Sequence, residues 1–349
     1  MLTSDYDFIL PPELIAQEAI EPRDAARLLV LGSDAKPVHQ YVRDLDALLR
    51  SGDLLVLNRT RVIPARLLGR KASGGAAEVL LIHPEVGGQP GEWRVLIRAK
   101  VTEGTALVID TAHLTVTASH EDGSRTVRFA PDVDVLALAE RVGHVPLPPY
   151  INRPDRPTDR ERYQTVFGDR PGSVAAPTAS LHLTNDLLER LSARGVQTAR
   201  VDLAIGPGTF KPVDTDLITD FRIHAEHAEC PAETVAAIAA CKARGGRVVA
   251  VGTTVVRTLE SAARQPGGFT AWSGWTSLFL HPPPGSVAVD GLLTNFHLPR
   301  SSLLMLVSCL AGRERLLAAY AEAIAQRYRF FSYGDAMIIL PWYRQSLLA

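Results

Sequence analysis

Cysteine is scarce in this sequence. Its 349 residues include three, Cys230, Cys241 and Cys309, odd in number, scattered and never in a C-x-x-C arrangement. That pattern indicates neither a disulfide framework nor a zinc site, and it points to a reducing compartment. An excess of one charge sign is also missing: 37 Lys plus Arg stand against 38 Asp plus Glu. With no net field to draw a polyanion, any nucleic-acid contact has to be a local patch. Lysine is rare, five against 32 arginines, a bias that a GC-rich genome explains as simply as bidentate phosphate binding does. Long apolar runs are absent too. The longest, around 303–310, is too short to cross a bilayer, and residues 1–10 carry Asp5 and Asp7 without a basic or apolar signal region. A cytoplasmic protein with no membrane contact is expected.

Several nucleotide and hydrolase signatures are missing as well: there is no G-x-x-x-x-G-K-[ST], no H-E-x-x-H and no G-x-S-x-G. Gly206-Pro207-Gly208 follows a strand pattern, but Lys211 and Pro212 stand where a dinucleotide fingerprint would continue, so it reads as a tight turn.

What is present is an ordinary globular composition, 46% hydrophobic and 21% charged, long enough for about two domains. Residues 66–130 read as short strands at 78–83, 93–100, 105–110, 114–119 and 126–130, parted by glycine turns. That spacing fits a small antiparallel barrel or sandwich. A helix at 132–141 ends at Gly143, and the proline-rich stretch 145–157 looks like a crossing between domains. Beyond it, strands at 198–205, 247–251 and 336–340 alternate with helices at 234–244, 255–263, 302–310 and 314–327. Because 53–57 has the same buried character, the expected fold is α/β: a discontinuous layered domain, 1–65 and 145–349, interrupted by a β-barrel domain at 66–144.

Five polar loops fall where strands end: Asn58-Arg59-Thr60-Arg61, 176–182, Gly206-Pro207-Gly208-Thr209-Phe210, Gly252-Thr253-Thr254 and Asn295-Phe296-His297-Leu298-Pro299-Arg300. Each alone reads as a turn and helix cap. Together, beyond the carboxyl ends of strands in an open sheet, they define one polar small-molecule crevice in which helix starts favour anionic groups. In the extended run Ile223-His224-Ala225-Glu226-His227, alternate residues share a face, so His224 and Glu226 pair either as acid and base or as a solvated strand edge. His227 and Glu229 share the other face, but no further ligands at recognisable spacing join them, so no metal is expected. The run 328–335 is aromatic and basic, suited to stacking a base or to the core. Arg153, Arg156, Arg160 and Arg162 form the candidate phosphate patch.

These same runs carry a family resemblance. Asp5-Tyr6-Asp7-Phe8, Thr60-Arg61-Val62-Ile63-Pro64-Ala65-Arg66, Pro146-Leu147-Pro148-Pro149-Tyr150-Ile151, Val256-Arg257-Thr258-Leu259-Glu260, Leu293-Thr294-Asn295-Phe296-His297-Leu298-Pro299 and Tyr328-Arg329-Phe330-Phe331-Ser332-Tyr333-Gly334-Asp335 occur in order. Nearly end to end, they resemble the S-adenosylmethionine:tRNA ribosyltransferase-isomerase family of queuosine biosynthesis. The resemblance implies an α/β domain interrupted by a β-barrel. It also implies transfer and isomerisation of the ribosyl group of S-adenosylmethionine, a co-substrate with no further cofactor. The implied acceptor is 7-aminomethyl-7-deazaguanine at the wobble position of a tRNA with a GUN anticodon, the products are epoxyqueuosine-tRNA, adenine and methionine, and the expected state is a monomer.

Such a reaction removes a proton beside the sulfonium, lets adenine leave protonated and needs a neutral attacking amine, so it calls for a base and an acid. The candidates are His297, foremost, with His182, His224 and Glu226. The methionine carboxylate suits Thr253, Thr254 or Arg257, and ribose hydroxyls suit Asn295, Thr178 and Asp335; Arg61, Gly208, Thr209 and Tyr333 complete the expected substrate-facing set. The sequence departs from the family pattern at Arg59 (Asp), Ser180 (Gly), Ala204 (His), Phe221 (His) and around Pro283-Pro284-Gly285-Ser286. These departures leave two alternatives: a divergent member with another acceptor, or a non-catalytic nucleoside- or RNA-binding relative.

Overall fold

The computed structural model describes residues 1–33, 36–210, 213–283 and 288–341. Runs such as Leu54-Leu55-Val56-Leu57, apolar at every position, demand cover on both faces, and they receive it. Among the described residues one sheet holds nine strands. Their spatial order is Trp272–Thr276, Glu226–Cys230, Gln197–Leu203, Leu54–Asn58, Val248–Val251, Gly291–Asn295, Ala336–Ile339, Arg27–Leu31, Val38–Tyr41. The four consecutive strands from Gln197–Leu203 to Gly291–Asn295 are parallel. Both outer pairs and the Gly291–Asn295/Ala336–Ile339 contact are antiparallel, so the sheet is mixed.

Alternation along Leu54–Asn58 sends Leu54 and Val56 to one face and Leu55 and Leu57 to the other. The first face packs with residues of helices Ala232–Ala243, Thr253–Ala263, Ser302–Ala311 and Arg313–Ala325. The second packs with Leu45 and Leu48 of Leu45–Leu48 and with Leu187 and Leu191 of Asn185–Ala193. Leu54–Asn58, from the amino-terminal part of the chain, therefore lies between strands from the carboxyl-terminal part, and the layered domain is discontinuous.

The chain leaves that sheet to build a closed antiparallel barrel. Among the described residues its strands are Arg66–Lys71, Ala76–Pro84, Glu92–Arg98, Ala106–Ile109, Ala112–Ser119 and Arg125–Phe129. Leu67, Val79, Leu81, Val95, Leu107, Ile109, Val116, Val127 and Phe129 fill its interior. Helix Val135–Val142 packs onto it, with Asp134 Oδ1 accepting from the amides of Leu136 (3.1 Å) and Ala137 (3.0 Å) as its cap. The strand Arg66–Lys71 was not expected: its Arg66, Arg70 and Lys71 mask a half-buried alternation. It provides the pairing that closes the barrel.

Candidate functional site

The parallel strands all end on one side, and the segments that leave them surround a pocket, as open α/β sheets dictate. Its lining comes from Ala175–Ala179, Ile205, Gly252–Thr254, Thr294–Leu298, Ser301, Leu303, Tyr150, Phe331 and Ser332. It is a partly open crevice walled by both polar and apolar side chains.

Gly252 makes the turn at the strand end with φ +97°, a conformation that side chains resist, and caps helix Thr253–Ala263. Thr253 and Thr254 of that first turn line the pocket, where the amino-terminal end of the helix dipole favours an anion. Asn58, fully buried, ties three loops together. Its Oδ1 accepts from the amides of Thr60 (3.1 Å) and Leu203 (3.2 Å), and its Nδ2 donates to Leu203 O (3.1 Å) and reaches Thr254 Oγ1 at 3.3 Å.

His297 stands on the segment after Gly291–Asn295. Its Nε2 lies 2.9 Å from Thr294 Oγ1, and its amide donates to Tyr320 Oη at 2.9 Å. Burial alone pushes its pKa down to about 3, so the ring is neutral. His182 ends the turn Thr178–His182; burial, with Arg329 and Arg23 nearby and partly opposed by Asp335, pushes it down to about 4. Its Nε2 lies 3.1 Å from Asn295 Nδ2. Of the expected residues, then, Thr178, Thr253, Thr254, Asn295 and His297 line this pocket, with His182 directly behind Asn295.

Other expected residues sit elsewhere. Arg257 does not fork a free carboxylate: its Nη1 donates to Glu226 Oε2 (2.5 Å) and its Nη2 to His224 O (3.0 Å) and Thr276 O (2.8 Å). Glu226 Oε1 also accepts from the Gly206 amide at 2.9 Å. The two charges neutralise each other in a buried site, and Glu226 is a poor candidate for a free base. A smaller cavity lined by Glu226 and Arg257 adjoins the main pocket across Thr253 and Thr254. Asp335 is likewise committed, to Arg27 (Nη2 at 2.9 Å, amide at 2.9 Å) and the Arg329 amide (2.8 Å), rather than offered to a ribose. Tyr333 Oη donates to Asp159 Oδ1 at 3.1 Å. Arg61 is exposed on Thr60–Val62.

Gly208 and His224 line a cleft between barrel and sheet edge, together with Glu226, His83, Arg94 and Trp275. A Cβ on Gly208 would come 2.5 Å from His224 Cδ2, so the loop reaches the imidazole only because residue 208 has no side chain. The side chain of Thr209 lies outside the described residues, as do Pro284, Gly285 and Ser286.

Tyr328 and Phe330 are core, with Phe330 against Phe296 at 5.0 Å, whereas Phe331 and Ser332 face the pocket. Tyr150, in the proline-rich crossing, was missed as a site residue. Its hydroxyl bonds Ser332 Oγ and its ring packs on Phe331 at 4.3 Å. Only the run Pro148-Pro149-Tyr150, an aromatic in a stiff segment, hinted at it. The four arginines of the expected phosphate patch each face a carboxylate: Arg153 with Asp159 (2.7 Å), Arg156 with Glu18 (2.8 Å), Arg160 with Glu140 (3.8 Å) and Arg162 with Glu21 (2.5 Å). Among the described residues no group of three or more His, Cys, Asp or Glu could hold a metal ion, and no helix is long and apolar enough to cross a membrane. The three cysteines are free.

Among the positions where the sequence departs from the family pattern, Arg59, Ser180, Ala204 and Phe221 lie outside the main pocket lining. Arg59 Nε donates to Asp202 Oδ2 at 2.9 Å, Phe221 packs on Phe279 at 5.3 Å, Ser180 is buried in its turn, and the Ala204 amide donates to His227 O at 3.0 Å.

A discontinuous α/β domain with a barrel insert and a polar pocket at the strand ends defines a class of small-molecule-binding α/β enzymes, and the comparisons with known proteins specify which. The family described as "Queuosine biosynthesis protein" matches residues 3–339, and the chain belongs to that family. The S-adenosylmethionine:tRNA ribosyltransferase-isomerase of Anaeromyxobacter sp. (strain Fw109-5) is 53% identical over 342 residues, 97% of this chain and 99% of that one. The protein of the same name from Thermus thermophilus is 51% identical over 348 residues, 96% and 98% of the two chains. The crystal structure of the S-adenosylmethionine tRNA ribosyltransferase of Thermotoga maritima is 41% identical with a TM-score of 0.56, covering 97% of this chain and all of that one.

Proposed function

We propose that the protein is an S-adenosylmethionine:tRNA ribosyltransferase-isomerase. It moves and isomerises the ribosyl group of S-adenosylmethionine onto 7-aminomethyl-7-deazaguanine at the wobble position of a GUN-anticodon tRNA, acting as a monomer and releasing adenine and methionine. The observation that carries this reading is the pocket beyond the parallel strands, where one helix start, the buried His297 and several hydroxyls converge, with His182 behind Asn295, in a chain of this family.

In this pocket the first turn of Thr253–Ala263 takes the methionine carboxylate, since unpaired amides and the helix dipole both favour an anion. Thr178 and Asn295 take the ribosyl and purine polar groups. The apolar walls, Ile205, Leu298, Leu303 and Phe331, exclude water, which strengthens each polar contact. His297 is assigned to proton transfer: the positive sulfonium acidifies the adjacent C–H, and the imidazole held by Thr294 is neutral and can take that proton, as a base weakened by the burial that keeps it neutral.

The test is to incubate purified protein with S-adenosylmethionine and tRNA bearing the aminomethyl-deazaguanine, then to analyse digested nucleosides by mass and free adenine by chromatography. Epoxyqueuosine with stoichiometric adenine is expected. Adenine without modified tRNA would point to a different acceptor, and neither product would leave a binding protein.

A further inference from the structure

The hydrogen-bond partners of Asn295 fix which way its amide faces. Asn295, 2% exposed at the end of Gly291–Asn295, donates through Nδ2 to Phe331 O at 3.2 Å. A carbonyl can only accept, so the amide nitrogen must be on this side; the flipped amide would set two oxygens together. The second Nδ2 hydrogen points at His182 Nε2, 3.1 Å away, which must then be the unprotonated ring nitrogen with the proton on Nδ1. With both hydrogens spent on protein partners, the other end of the amide, Oδ1, is buried and has no partner among the described residues. Asn295 lines the pocket, and a buried acceptor left unmade is costly unless a ligand completes it.

We propose that His182 is a positioning residue whose Nε2 holds the Asn295 amide so that Oδ1 accepts a hydrogen bond from the co-substrate, either a ribosyl O–H or the purine N–H₂. This rests on the function proposed above, and it removes His182 from the set of proton-transfer candidates. The charged groups around the ring are Asp335, Arg329 and Arg23. Arg329 and Arg23 oppose a proton on His182 and Asp335 favours one, while burial sets the outcome in favour of the neutral ring. Protonation would place an N–H against the Asn295 N–H₂ and break the arrangement.

The experiment compares His182→Leu with His182→Gln, whose amide can place an acceptor where Nε2 stands but cannot titrate. Expected is a rise of about tenfold or more in KM for S-adenosylmethionine in His182→Leu with kcat little changed, and restoration to within about threefold in His182→Gln with an unaltered pH profile. A fall in kcat of about 100-fold in His182→Gln would make the residue an acid or base, and an unchanged KM in His182→Leu would remove the positioning role; either overturns the proposal.

Calorimetry of the wild-type protein with S-adenosylmethionine analogues lacking the 2′-hydroxyl, the 3′-hydroxyl or both N6 hydrogens identifies the donor. One of the three should bind at least tenfold more weakly, and His182→Leu should lose that discrimination. Equal binding of all three would overturn the Oδ1 contact. Because calorimetry needs no turnover, a protein that binds with the expected discrimination but yields no adenine with tRNA would fail the proposed activity and leave the Asn295 contact standing.

Discussion

Arg257 and Glu226 meet at 2.5 Å, Nη1 to Oε2, in a site where both side chains are less than a tenth exposed. The pair links helix Thr253–Ala263 to the penultimate strand Glu226–Cys230, and Arg257 Nη2 extends the link to Thr276 on the outermost strand. Breaking one side of such a buried pair leaves an uncompensated charge, a cost of about 3–5 kcal/mol. Arg257→Lys keeps the charge, but a single Nζ cannot stand where both Nη1 and Nη2 do, so part of the bonding to Glu226, His224 O and Thr276 O is lost and the melting temperature is expected to drop by roughly 2–6 °C. An unchanged melting temperature with weakened S-adenosylmethionine binding would return Arg257 to the ligand.

His297→Gln keeps size and hydrogen bonding at the Thr294 contact but cannot accept a proton. Loss of a general base costs ~100- to 10,000-fold in rate. A fall of at least ~100-fold in adenine release on folded protein is expected, with KM for S-adenosylmethionine nearly constant. A rate within about threefold of wild type would remove His297 from the chemistry.

Acid stability follows from the two buried histidines. Their folded-state pKa values, about 4 for His182 and about 3 for His297, lie below the ordinary value near 6.5. The unfolded chain therefore binds more protons as pH falls. The stability these neutral rings contribute is complete above about pH 6.5 and is lost as pH falls from there through their folded-state values. Between pH 7 and pH 5 each histidine should cost ~2 kcal/mol. Denaturant midpoints of His182→Gln and His297→Gln should consequently fall less over that interval than the wild-type midpoint, and an identical fall would show that the rings do not titrate as described.

The paired arginines in and just after the proline-rich crossing lead to a negative expectation for RNA. Arg156 and Arg160 are exposed and already face Glu18 and Glu140. Replacing both with Gln should change the tRNA dissociation constant by less than about threefold and leave its salt slope unchanged. A slope reduced by roughly 1–2 would make them phosphate contacts.

The hairpins of the barrel were legible because glycine turns separate alternating segments such as Ala76–Pro84 and Glu92–Arg98. The strand Arg66–Lys71 was not, since Arg66, Arg70 and Lys71 mask its half-buried alternation. In the large sheet, Leu54–Asn58 and Val248–Val251 are apolar at nearly every position and read directly as buried strands. The last two strands at that end of the sheet, Glu226–Cys230 and the outermost Trp272–Thr276, carry polar and aromatic residues on one face and gave a weaker signal. In the site, Thr253, Thr254, Asn295 and His297 were reachable because helix starts and strand ends can be read from spacing. Tyr150 and Ser332 were not, because their contact spans 182 residues. The partners of Arg257 and Asp335 were equally hidden: sequence gives the charge of a side chain but not which opposite charge folding brings to it.

The placement of Leu54–Asn58 between Gln197–Leu203 and Val248–Val251, and of Arg27–Leu31 beside Ala336–Ile339, sets an order of assembly. As the chain leaves the ribosome, the barrel can close from neighbouring hairpins, while Leu54–Asn58 has neither lateral partner, and Arg27–Leu31 only Val38–Tyr41, until most of the remaining chain has been made. Pairings at such sequence distance form slowly, and unpaired apolar strands invite association with other chains. The barrel would thus be the first folded body of the nascent protein, and the crevice that carries the chemistry the last feature to exist.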